Sequence, residues 1–121
     1  MAKVFGMHMI GLRTGVKGED FEKFFRERVA HLPLFQGWKL CLLKGDRGDR
    51  EGKYLLLVEI ESVEARNRYS PASDQNSAES NRFLEIHKEA YESVFAEWEK
   101  LASLIGAPTI YTDYVVVGES A

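Results

Sequence analysis

Four segments of this chain carry β-strand composition, and in three of them the apolar residues occupy both sides of the strand. Residues 3–13, 38–44, 53–61 and 109–117 are rich in β-branched, aromatic and aliphatic side chains, and Gly, Pro or charged turns bound each of them. Successive side chains of a strand point to opposite faces. In the first strand Val4, Ile10 and Leu12 therefore oppose Phe5, Met7 and Met9. In the third, Tyr54, Leu56, Val58 and Ile60 oppose Leu55 and Leu57. In the last, Ile110, Tyr114 and Val116 oppose Tyr111, Val115 and Val117. A sheet with one wet face alternates apolar with polar residues. This one does not, so it needs cover on both faces.

Two helical stretches lie between the strands. Phe21, Phe24, Phe25, Val29 and Leu32 follow the three-four spacing of one helix face, with Glu19 and Asp20 favouring the N-terminal dipole and Pro33 ending the run. The second stretch covers 77–105, its stripe formed by Phe83, Ala90, Val94, Trp98, Leu101 and Ile105. Asn76 and Glu79 form its capping pair, and Gly106 and Pro108 close it. The resulting order, β-α-β-β-α-β, predicts an α+β fold of the ferredoxin-like, split βαβ kind. It is a four-stranded antiparallel sheet with both helices on one face, filling 1–121 as a single domain. Two helices cover one face only. The economical cover for the other is a second copy, stacked sheet on sheet as a homodimer that pairs into a barrel.

Composition narrows the partners. With 121 residues, 45% hydrophobic and 29% charged, the chain is long enough for one real core. Its net charge is −3, from 16 basic and 19 acidic residues, and no basic block stands ready for a row of phosphates, so no nucleic-acid partner is expected. Apolar runs fall short of a bilayer span, and the opening residues lack a small-residue cleavage site; no membrane partner and a cytoplasmic location are the expectations. Cys41, the single cysteine, sits between Leu40 and Leu42 as a small buried hydrophobe. The charged loop 45–52 reads as a hairpin connection, and its Arg47-Gly48-Asp49 as a chance match to an adhesion motif. Residues 62–81 form the long irregular connection, with Ser62 capping a short helix through Tyr69.

The element order, the two-sided apolar strands and the length resemble the dimeric α/β-barrel superfamily. This group includes antibiotic-biosynthesis-type monooxygenases, stress-responsive barrel proteins, EthD-like and NIPSNAP-like proteins and haem-degrading monooxygenases. The resemblance runs from Lys3 to Val117 and is one of pattern, and no short motif assigns a branch. It implies a cleft between sheet and helices holding an aromatic or acyl substrate, with a histidine assisting proton removal before oxygen attacks. In the haem-degrading branch an axial histidine comes from the second helix, and His87 is the position that would match. That branch also carries a first-strand asparagine, where this chain has His8.

The candidate catalytic residues are His8, mid-strand, and His87, in the second helical stripe one turn after Phe83 and one turn before Tyr91. Histidine titrates near neutral pH and serves as acid, base or metal ligand; each of these equally fits a neutral core imidazole bonded to backbone or a tyrosine. Tyr91, Trp98, Phe83 and Asp113 are the candidate ligand-pocket residues, with plain core packing the alternative for the aromatic ones and an ion pair for Asp113 and Glu59. If His8 points to the helix side, His8, His87 and Tyr91 share one cavity. No metal-ligand spacing and no cofactor motif occurs, so neither is expected. Three functions follow: a small apolar-ligand binder of the cofactor-independent monooxygenase type, a non-catalytic stress-related or scaffold dimer, or a haem-binding protein.

Overall fold

The computed structural model describes residues 2–73, 75–104 and 111–120. β1 (Val4–Leu12) lies within an open, five-stranded antiparallel sheet. β3 (Tyr54–Ile60) pairs along one edge of β1, and β2 (Trp38–Lys44) pairs with β3 on its far side. β4 (Ala102–Leu104) and β5 (Thr112–Val115) follow one another along the remaining edge of β1, opposite Ile10–Leu12 and Val4–Met7 respectively. The strand order is β2-β3-β1-β4, with β5 also beside β1.

Register decides which residues share a face. His8 stands opposite Leu56, which stands opposite Leu42; Ile10 stands opposite Tyr54; Gly6 stands between Val58 and Asp113. This face carries the helices. α1 (Gly18–Glu27) lays Phe21, Phe24 and Phe25 onto it, and one 3-10 turn (Val29–His31) adds Val29. Ile10, Tyr54, Val94 and Ala102 complete the buried cluster. Phe21 is fully buried, with the Trp98 ring edge-on at 5.2 Å and the Tyr54 ring at 5.5 Å. A second, smaller aromatic cluster joins Phe35 to Trp38, Tyr69 and Phe83 at centroid distances of 5.1, 4.2 and 4.9 Å.

The long connection is largely helical. Ser62 caps α2 (Val63–Tyr69) through its hydroxyl, which accepts from the Ala65 N–H at 3.0 Å, so the sequence reading of this short helix agrees with the structure. The second helical stretch differs in three ways from the continuous helix expected over 77–105. The cap is Ser77, whose hydroxyl accepts from the Ser80 N–H at 3.1 Å; Asn76 is one residue too early. The helix divides at His87 into α3 (Ala78–Ile86) and α4 (Lys88–Leu101). His87 has φ −104° and ψ 18°, outside the helical basin. The division lets α3 follow the small aromatic cluster while α4 follows the sheet. Finally, α4 ends at Leu101, because Ala102–Leu104 turns extended to supply ladder bonds to the far end of β1. Ile105, Gly106, Pro108, Thr109 and Ile110 lie outside the described residues.

The opposite sheet face carries Phe5, Met7 and Met9 from β1, Cys41 and Leu43 from β2, Leu55 and Leu57 from β3, and Tyr114 from β5. All are partly or largely accessible, Leu43 at 45% and Tyr114 at 54%. Among the described residues no helix is long and apolar enough to cross a membrane.

Candidate functional site

A cavity of about 550 Å³ lies between the helix-side face of the sheet and α4. This is within the range that holds a small molecule. His8, Leu40 and Leu56 form its floor; Tyr91, Val94, Phe95 and Trp98 line it from α4; Val29 and Leu32 close one side. The exposed side chains of Arg13, Glu99 and Ser103 stand at its rim, where the Arg13 Nε–H donates to the Glu99 carbonyl. Apart from that rim, His8, the Tyr91 hydroxyl and the Trp98 indole N–H are the polar side-chain groups that the lining residues carry, and the rest are aliphatic and aromatic.

The Tyr91 hydroxyl is already committed. It donates to the carbonyl of Pro33, and burial pushes its pKa up, so it acts as a fixed wall rather than a proton carrier. His8 is different. Its Nδ1 is buried without a hydrogen-bond partner among the described residues. An unpaired buried polar atom costs about 1–3 kcal/mol. Burial holds the imidazole pKa below its ordinary value, with the nearby Asp113 carboxylate opposing that shift. At neutral pH His8 is therefore neutral, with one ring nitrogen free to accept a proton.

That displacement has a consequence for stability. A histidine whose folded pKa lies below its unfolded one binds fewer protons when folded, so stability falls as pH drops below the unfolded value, near 6.5. The urea midpoint is expected to fall between pH 7 and pH 5 by more in the native chain than in His8→Leu; equal slopes in the two proteins would contradict the assignment.

The expected residues divide among three places. His8, Tyr91 and Trp98 meet in the cavity. His87 and Phe83 do not line it: His87 packs on Phe83 at 4.6 Å in the small aromatic cluster, one element away. The shared His8–His87 cavity is thus corrected, because the break at His87 places that ring at the joint between α3 and α4. Asp113 lies on the helix-side face at Gly6, pairing with Arg66 at 3.4 Å and accepting from the Tyr111 hydroxyl. It lines a separate, polar cleft of about 460 Å³ together with Arg66, Asn67, Ser70, Ser73 and Tyr111. Glu59 faces the other way and pairs with Lys3 at 2.9 Å.

Two contributors escaped the sequence reading. The Tyr111 ring stacks on His8 with centroids 4.1 Å apart and planes 6° from parallel. Arg66 lies in the connection whose composition reads as irregular. The available signal was Tyr111-x-Asp113, two polar-tipped residues on one side of the last strand. Among the described residues no three His, Cys, Asp or Glu side chains come together as a metal site.

No family model, curated protein or solved structure matches this chain.

Proposed function

We propose that this chain is a binding domain for a small apolar molecule, held in the cavity between sheet and α4, with neutral His8 as its proton acceptor. The His8 imidazole, held neutral by burial and lining a largely apolar wall, carries this reading. The strand order β2-β3-β1-β4 supports a ferredoxin-like wrap, and the free apolar sheet face supports a homodimer joined through it. Within that frame the reaction is a cofactor-independent oxygenation. His8 takes a proton from an acidic C–H of an aromatic substrate, and the carbanion reduces dioxygen. For a methylene carbon the balance is CH₂ plus O₂ giving C=O plus H₂O, so the substrate supplies every electron and His8 only moves a proton.

Titration with the fluorophore anilinonaphthalene sulfonate tests the binding site. One molecule is expected per chain, with emission enhanced by the dry wall. Val94→Trp fills the space beneath α4 and abolishes binding, while Ile86→Lys, at a residue 71% exposed on α3, leaves it unchanged. Binding that survives Val94→Trp would overturn the assignment.

A further inference from the structure

Tyr111 sits between the two cavities. One face of its ring covers His8 of the apolar cavity, at 4.1 Å and nearly parallel, and the residue also lines the polar cleft. Its hydroxyl donates to Asp113 Oδ1, whose other oxygen takes Arg66 Nη1 at 3.4 Å. The carboxylate in turn rests on Gly6, two residues before His8 on β1. A Cβ at Gly6 would lie 2.8 Å from Asp113 Oδ1 and 3.5 Å from the Tyr111 hydroxyl. Only a residue without a side chain leaves that space open.

We propose that Tyr111 is the positioning residue of this site: tethered to Asp113 over the gap at Gly6, its ring holds the His8 imidazole in one orientation and closes it off from the polar cleft. The inference rests on reading His8 as the proton acceptor of the apolar cavity. A base must present its nitrogen in a fixed direction to a bound proton donor. His8 gains no orientation from a hydrogen bond at Nδ1, so its ring is fixed by packing, and the flat stack is the contact that fixes a planar group. The tether matters because Tyr111 is itself 40% exposed and would otherwise be free to turn outward.

The charged and titratable groups around His8 are Tyr111 and Asp113 beside β1, Arg66 from α2, Tyr91 and Glu99 from α4, and Arg13 just beyond β1. None but Tyr111 covers the imidazole face to face among the described residues.

Proton NMR of the three histidines, with the His8 signal assigned by its loss in His8→Gln, reads this directly and needs no ligand. In the native chain the ring current of Tyr111 shifts the His8 Cε1 proton upfield of that of exposed His31. In Tyr111→Leu it moves downfield, and the His8 titration midpoint rises toward its ordinary value as the ring meets the water of the cleft. Tyr111→Phe keeps the ring and loses the tether, so it gives a partial shift. Gly6→Ala displaces the carboxylate and matches Tyr111→Phe. Asp113→Asn keeps an acceptor and so keeps the native Cε1 proton position, while its titration midpoint falls because the carboxylate that favours the charged imidazole is gone. Should Tyr111→Leu fail to fold, Gly6→Ala and Tyr111→Phe still decide. An unmoved His8 signal in the folded variants, with His31 and His87 also unchanged, overturns the inference. The fluorophore titration is run on the same proteins. A moved His8 signal without fluorophore binding in the native chain defeats the proposed function alone, whereas native binding with an unmoved His8 defeats the positioning role alone.

Discussion

Phe21→Ala is expected to remove about 3–5 kcal/mol of stability, the range for deleting a buried aromatic ring. Phe21 has no exposed surface, and its ring meets those of Phe24, Tyr54 and Trp98. Those neighbours belong to α1, β3 and α4, so they cannot close together over the void without moving whole elements. The ring also supports Trp98 from behind, and Trp98 lines the ligand cavity. For a domain whose total stability is about 5–15 kcal/mol, the loss is a fifth or more. Urea denaturation at neutral pH measures it through the midpoint at unchanged slope. A loss below about 1 kcal/mol would mean that the site collapses easily and that Phe21 does not hold helix to sheet.

Phe21 was legible in the sequence because helical periodicity and burial depend on the same local spacing. The first helix, the four regions of strand and the capping role of Ser62 come from such short-range rules. The division at His87 does not. No proline or glycine lies near it, and the break follows from α3 and α4 packing against different partners. The turn of Ala102–Leu104 into the sheet is equally non-local, since the open edge of β1 draws it there. Alternation also left the side of His8 undetermined, because β1 is apolar on both faces. Pairing settled it: Gly6, His8 and Ile10 share the face of Val58, Leu56 and Tyr54, toward the helices. The stack of Tyr111 on His8 joins residues more than a hundred positions apart. No spacing rule reaches that far.

The apolar face that the helices leave open yields the prediction with the largest effect on assembly. Leu57→Asp is expected to give insoluble or unfolded chain rather than a stable monomer. Leu57 lies mid-strand in β3, opposite Met7 on one neighbour and Cys41 on the other, with Phe5, Met9, Leu43 and Leu55 on the same face. Helix packing cannot account for these residues, since every helix-side contact is made by the alternate set. Monomers rarely leave a contiguous apolar face of this kind in water. Sheet-on-sheet pairing of two copies would bury it, with about 1,600 Å² or more removed from solvent. A carboxylate at the centre of that surface would lose its hydration with no cation opposite, at a cost of several kcal/mol per subunit. Lys39, on the same face, stands opposite Glu59 rather than Leu57, and the Glu59 carboxylate is its cross-strand partner. Sedimentation velocity at micromolar concentration separates the outcomes. A native dimer with an aggregated or unfolded Leu57→Asp chain fits the two-fold pairing. A well-folded native monomer at that concentration would end it, because the free face would then be stable in water and the mutation would meet no partner to repel.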